Sequence, residues 1–513
     1  PRIAVRISAV LGTMSSTSFS NRTAQAVAVE SSAGTLPGSP TWYSLGPNAI
    51  EGIGAVLERK SRNPISPTNQ RQFGSVIDVK ANPKFNGDLT WSSLDMFLEG
   101  ILRCRFSLTG PAVFAPSAAV SGGLTVASGG ALVQNTLVYV RGARIAANNG
   151  LKVVGAGSTG TSIVITGGMT AETFTATDHV TVEVCGFRFA SGDLQIGSAS
   201  TLTTTTKDLT QLGIVSGQMC WLGGGSDNTS ALSLTNGRGA FRVTTTPTAN
   251  LMTIDKTYGT WSADTGTGKT VDLYFGRQVR AVPLTHADYV EKYYQIETTY
   301  HRLGAADATA YGYMKGNGVG QATFGFPVKD FGSLAIDFTG TDETPPSTSR
   351  ATNAASPLRE VKTAAASTVT DVYRGRILKV GTDGVVGAGL TGYISALNLT
   401  VNNNVGMNPA HGVLGSFETS FGQIAIDAKV NAYFTEIDVP THARSNLPAT
   451  ADWWFRNNDG AVAFDLPYCE FTVDGQNFPA NETIKVDLTA GAVEDPIWGT
   501  SLIVSLLPYC PAA

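Results

Sequence analysis

The sequence predicts a mainly β protein: two related β-sandwich or barrel domains with a flanking short helix, plus small inserted all-β modules. Three observations carry this expectation. Alternating runs rich in Thr and Val, residues that favour strands, occur along the whole chain. Charged residues make up 15% of the 513 residues, against about 25% in ordinary globular proteins, and Gly, Ala, Ser and Thr fill the difference. Finally, two sets of strand-like segments recur in the same order. Apolar residues at 42% permit sizeable cores, and a net charge of −4 argues against the basic face of a nucleic-acid-binding domain.

Residues 1–40 are small and polar and read as an N-terminal arm. The opening Pro1 to Leu11 is faintly signal-like, but its apolar run is short and broken by Arg6. Ordered sequence is expected from Trp42-Tyr43-Ser44-Leu45. Two alternating runs, Val76 to Asn82 and Lys84 to Leu89, read as half-buried strands. A helix follows, with Ser92 as its cap and Asp95 complementing its positive end. Leu94, Phe97, Leu98 and Ile101 form one apolar stripe, and Gly100 weakens it. Copy 1 of the β-domain is thus placed at 41–108 and resumes at 281–342.

Between them, 109–280 is dense in Gly, Thr, Ser and Val, with turn signals about every ten residues. It reads as two related β-modules projecting outward. Each has a strand, a glycine corner (Gly142; Gly223), an Asn-Gly turn (Asn149-Gly150; Asn236-Gly237) and a closing edge (Val182-Glu183-Val184; Val271-Asp272-Leu273). Residues 343–370 have linker composition, and copy 2 occupies 371–513. The copies are related through Gly74 to Asn82 and Gly422 to Asn431, where one gap aligns Asp78 with Asp427 and Lys80 with Lys429. Leu334 to Thr339 likewise matches Ile484 to Thr489.

Three stretches carry a resemblance to a known family. "YYQIETTYHRLGAADATAYGYMKGNGVGQATFGFPVKDFGSLAIDFTGTD" (293–342) resembles the closing run of phage tail tube proteins. "LNLTVNNNVGMNPAHGVLGSFETSFGQIAIDAKVNAYFTE" (397–436) resembles that family's strand, paired asparagines and Pro-Gly strand, with Phe421 in place of the usual Pro. Residues 455–506 are similar to its final hairpin, Leu-Pro strand and C-terminal strand. The resemblance, which covers about half the chain, is to the major tail tube proteins of long-tailed, siphovirus-like bacteriophages.

It implies a structural virion protein of the phage tail, assembled in the bacterial cytoplasm, with neither enzymatic activity nor cofactor. Its partners would be copies of itself, tail tip or baseplate and terminator proteins, the tape measure protein and then double-stranded DNA, with no membrane partner. Single-copy relatives form hexameric rings, so three two-copy chains would complete a pseudo-six-fold ring. Edges and arms that pair with neighbours lead to a further expectation: 1–40, 58–72 and 341–370 order only on assembly. Basic contacts to phosphate would hold DNA, so a conducting wall should be acidic or neutral. Asp78, Asp427, Glu297 and Glu436 are the wall candidates, against a solvated outer face. A carbohydrate-binding, adhesin-like β-protein is the alternative, with 109–280 as its binding part.

Other chemistry finds little support. Gly155 to Gly160 fits GxGxxG but leads into a strand, whereas a dinucleotide site needs a helix N-terminus. Gly266-Thr267-Gly268-Lys269-Thr270 imitates a phosphate loop, but its leading glycine would fall at Ala263. The five histidines lack metal spacing, and the five cysteines form no CxxC pair and are expected to be buried thiols. Asp452, Asp459 and Asp465 fit turn and strand-end roles. Trp42, Trp91, Trp453, Trp454 and Trp498 are assigned to cores or interfaces.

Overall fold

A computed structural model describes residues 23–511, apart from parts of 63–72 and 224–238 and the stretches 108–109, 176, 199, 256–261, 304–307, 328–330, 360–371, 381–385, 390–393, 434–443, 458–459 and 478–482. The fold is mainly β, with several antiparallel sheets. The largest sheet has 17 strands.

The first half contributes β1 (Ala24–Val29), β2 (Trp42–Leu45), β3 (Pro47–Glu51), β4 (Val56–Ser61), β5 (Gly74–Lys80), β6 (Lys84–Asp88) and α1 (Trp91–Leu102). After the insertion come β7 (Arg277–Arg280), β8 (Tyr293–Leu303), β9 (Ala308–Phe326), β10 (Ser333–Thr339) and β11 (Asp342–Ser347). The last part supplies β12 (Val372–Val380), β13 (Val386–Gly389), β14 (Ile394–Asn402), β15 (Gly406–Pro409), β16 (Ser416–Ser420), β17 (Ala425–Tyr433), β18 (Ala449–Asn457), β19 (Gly460–Asn477), β20 (Lys485–Ala492) and β21 (Ile503–Leu507).

Strand order reveals an internal duplication. In the first copy the neighbours run β2-β1-β8-β9-β10-β6-β3, with β11 on the first half of β9. In the second they run β13-β12-β18-β19-β20-β17-β14, with β21 on the first half of β19. Each copy also carries a two-stranded ribbon at the same point of the chain, β4–β5 between β3 and β6 and β15–β16 between β14 and β17. One hydrophobic core runs through both copies.

This pairing shifts the correspondence expected from sequence. Asp78 lies on β5 opposite Glu58 in the ribbon, whereas Asp427 lies on β17 between Thr400 and Gly491 in the main sheet. The counterpart of β17 is β6, and that of β5 is β16. Short alternating strands share a period of two, so local matching slides easily from one strand to the next. Two further boundaries move. The arm contains β1, held between β2 and β8, because its alternating AQAVAV buries Val27 and Ala28. The linker opens with β11. Within one chain, β1 and β11 thus already pair in the sheet, while residues 1–22 and 360–370 lie outside the described residues.

The only α-helix among the described residues is α1, and it buries the stripe Leu94, Phe97, Leu98 and Ile101. Its cap is Thr90 rather than Ser92: the Thr90 hydroxyl accepts from the Ser93 amide at 3.1 Å, and Ser93 Oγ accepts from the Thr90 amide at 3.0 Å. No acidic residue lies in the first turn, and Asp95 instead pairs with Arg277 at 2.7 Å. Gly100 is explained by packing, since a Cβ there would fall 2.5 Å from Tyr294 Oη. Thr90→Ala is expected to cost about 1 kcal/mol in urea denaturation, with Ser92→Ala near neutral; the reverse ranking would refute the cap.

The insertion builds one central sheet rather than two separate modules. Thr136–Arg141 pairs with Gly150–Val153 and Thr181–Phe189. In the same way Met219–Leu222 pairs with Gly239–Arg242 and Val271–Tyr274. The two closing edges then pair with each other, Gly186 opposite Tyr274. Both corner glycines have positive φ, 83° at Gly142 and 75° at Gly223. Asn236-Gly237 lies outside the described residues.

Candidate assembly surfaces

The two copies meet along the β9–β14 seam, and β7, leading from the insertion into the first copy, adds a second strand pairing with β21. Antiparallel β9 and β14 pair from Gln321 opposite Asn402 to Phe326 opposite Leu397. Phe326 stacks on Phe455 at 3.7 Å, and Phe324 packs on Phe464 at 5.0 Å, so an aromatic cluster crosses from one copy to the other. Asn403, fully buried, donates to the carbonyls of Ile101 and Val319 at 3.1 and 3.0 Å. The β15–β16 ribbon reaches back over the first copy. Phe421, just past it, packs against Tyr293, and a Cβ on Gly318 would come within 3.0 Å of that Phe421 ring. Arg103 donates to the Gly422 carbonyl at 2.8 Å.

Among the described residues several strand margins have one partner only, those of β11, β13 and both ribbons among them, and two of these margins matter for the seam. The outer side of β3 pairs with nothing, and the second half of β19, from Glu470 onward, pairs with β20 alone. In the first copy, the matching half of β9 has β10 on one side and β14 on the other.

The inserted sheet lies against the second copy. Leu137, Tyr139, Met219, Trp221 and Tyr274 pack on Trp454, Ala461, Ala463 and Leu507, so its inner face is covered, unlike that of a freely projecting module. Arg242 Nη1 reaches both Asp465 oxygens at 3.0 and 2.8 Å, and its Nη2 reaches Asp255 at 2.6 Å. A second charged contact ties the insertion to α1: Trp91 Nε1 donates to Glu183 at 2.9 Å, and Arg277 lies 3.3 Å from the same carboxylate.

Asp465 is wholly buried opposite Asp452. Burial pushes its carboxyl up to about 6, outweighing the downward pull of Arg242, and the Asp452 charge adds to the rise. The folded chain therefore takes up this proton before the unfolded chain does, whose carboxyl keeps the ordinary 3.8. The contribution of this group to stability accordingly grows as pH falls through 6 towards 4 and shrinks as pH rises. Asp465→Asn is expected to remove that dependence. Urea midpoints at pH 7 and pH 5 that change equally in wild type and variant would contradict it.

The acidic wall candidates fall in different environments. Glu297 is fully buried, bonded to Arg350 at 2.6 Å and Tyr313 at 2.8 Å. It offers no carboxylate to a surface, because the alternating pattern that put it on a strand cannot say which face is covered. Asp78 is one-third exposed, 3.9 Å from Lys80; Asp427 is exposed; Glu436 lies outside the described residues. The buried partner Arg242 was not singled out in the sequence, as a lone arginine on a short strand gives no signal of what it will face.

All five cysteines are buried and unpaired with one another, and burial raises their thiols, Cys104 to about 11. Gly155 to Gly160 forms a turn leading into Ser162–Val164, and Lys269 is held by Asp264. Asp459 and His442 lie outside the described residues. Among the described residues no cluster of His, Cys, Asp or Glu could hold a metal, and no helix is long and apolar enough to cross a membrane.

The chain is thus a duplicated, mainly β subunit whose copies pair through β9 and β14, with the outer side of β3 and the second half of β19 left open among the described residues. The sequence matches no family model and no curated protein.

Proposed function

We propose that this chain is a structural subunit that polymerises into stacked rings, the tail tube of a long-tailed bacteriophage. The observation that carries the reading is the duplication: two copies with the same strand order meet head to tail and leave an unfilled edge at each end. Repetition of one heterologous contact generates a ring when its rotation closes, and three chains give six copies. Family resemblance at 293–342, 397–436 and 455–506 supplies the particular tube. In that setting the interior passes the tape measure protein and then double-stranded DNA without holding either, tail tip and terminator proteins bound the stack, and the site of action is the virion.

Negative-stain electron microscopy of the purified chain over a range of concentrations tests this. Rings or tubes about one ring repeat wide are expected; isolated particles at every concentration would refute it.

A further inference from the structure

We propose that β3, the following Gly52 to Ala55 and the β4–β5 ribbon form the surface that takes the open half of β19 in a second copy of this chain. The proposal rests on the ring reading above and specifies its joint. Its template lies inside the chain, where the second copy meets the first through an edge strand and a ribbon.

At the internal seam, β14 fills the free side of the second half of β9. The β15–β16 ribbon next to it is seated on the first copy: Ser416 and Thr419 are buried, and a Cβ on Gly415 would come within 2.9 Å of the Thr341 carbonyl. The equivalent elements of the first copy are seated only at their base, where Val79 is buried beside Gly415 and the Ala55 amide donates to Glu343, while β4 is exposed from Val56 to Lys60. β3 is 5 residues long where β14 has 9, and the chain leaves the sheet at Gly52. A strand with a partner on one side alone gains half the ladder bonds, so its end is the first part to leave the sheet.

The ribbon shows the same deficit in its side chains. Val56 is 68% exposed, Leu57 51%, Phe73 90% and Ile77 49%. Val56 and Leu57, being successive, point to opposite faces of the ribbon and Phe73 lies at its other end; large apolar side chains left in water on a two-stranded ribbon mark contact surfaces. The surface it would meet is the second half of β19, where Glu470 and Thr472 are exposed and Val473 half-buried, and where nothing pairs with the outer edge among the described residues. Both halves of the joint therefore exist on every chain, one at each end. Joining them repeats the internal seam between chains.

The test uses the full chain with Thr472→Cys combined with either Ala49→Cys or Ile53→Cys. The native cysteines, all buried, should stay silent. Mild oxidation of assembled protein is expected to give covalent dimers and trimers on a non-reducing gel with at least one pair. In parallel, wild-type amides at 47–57 and 470–473 should gain hydrogen-exchange protection on assembly. Rings in the micrographs with neither cross-link nor added protection would overturn the joint while leaving the ring reading intact. Absence of rings altogether would overturn both. A second variant, Leu57→Glu with Phe73→Ser, alters only exposed side chains, so the single chain should melt as wild type does. Assembly should then need at least ~100-fold more protein, the scale of losing a hot spot; an unchanged assembly concentration would remove the ribbon from the joint.

Discussion

Replacing Arg242 with alanine is expected to destabilise the chain by about 3–5 kcal/mol, the scale of removing one partner from a buried ion pair. The size follows from what remains. Asp465 has no solvent exposure, Asp452 is 2% exposed, and the two sit opposite each other on β18 and β19. Arg242 supplies both short bonds to Asp465 and bonds to Asp255, and its guanidinium lies 4.8 Å from the Trp498 ring. Without it, a buried carboxylate must either stay charged with no counter-ion or bind a proton. Urea denaturation at pH 7 would measure the loss. The double variant Arg242→Ala with Asp465→Asn should recover a large part of it, since the stranded charge is gone. A single-variant loss below about 1 kcal/mol would show that the pair is not what docks the insertion.

Gly276→Ala should be comparably damaging for a steric reason. A Cβ at this position would lie 1.7 Å from the Leu506 carbonyl oxygen and 2.8 Å from Leu507 Cα, both backbone atoms of β21. No side-chain rotation relieves a clash with backbone, so either β7 must leave β21 or the insertion must shift on the second copy. Overpacking of well-filled sites costs about 1–3 kcal/mol and more where the neighbour cannot move, and the upper end is expected here. Gly160→Ala, with nothing within 4 Å of its added Cβ, is the control and should lie within about 0.5 kcal/mol of wild type. Equal melting of the two variants would refute the close approach.

Much of this architecture was legible in the sequence because strand periodicity and glycine corners are local signals. The mainly β class, the apolar stripe of α1 and the corners Gly142 and Gly223 all rest on spacing within a dozen residues. Pairing between distant strands is not local. The match of Asp78 to Asp427 failed because alternation alone cannot tell β5 from β6, which follow each other within fifteen residues. β1 escaped notice because AQAVAV is small and unremarkable until Trp42, Tyr294 and Ile296 close around it. For the same reason Glu297 looked available as a wall residue, yet Arg350, which neutralises it, sits 53 residues away in a stretch of linker composition. Ser92 looked like a cap, but the chain turns into the helix two residues after β6 ends at Asp88, which makes Thr90 the cap.

Under the proposed ring assembly, the seam between β9 and β14 has one more effect, on the kinetics of growth. Because both strands belong to one polypeptide, dilution cannot separate them, and the tether holds each at a high local concentration near the other. In such a ring, a chain emerging from the ribosome would complete half of its lateral joints by a first-order process. Only the remaining half depends on collisions. Closure of a small oligomer then requires fewer encounters than it would from single-copy units, and fewer open intermediates are left to stray into aggregates.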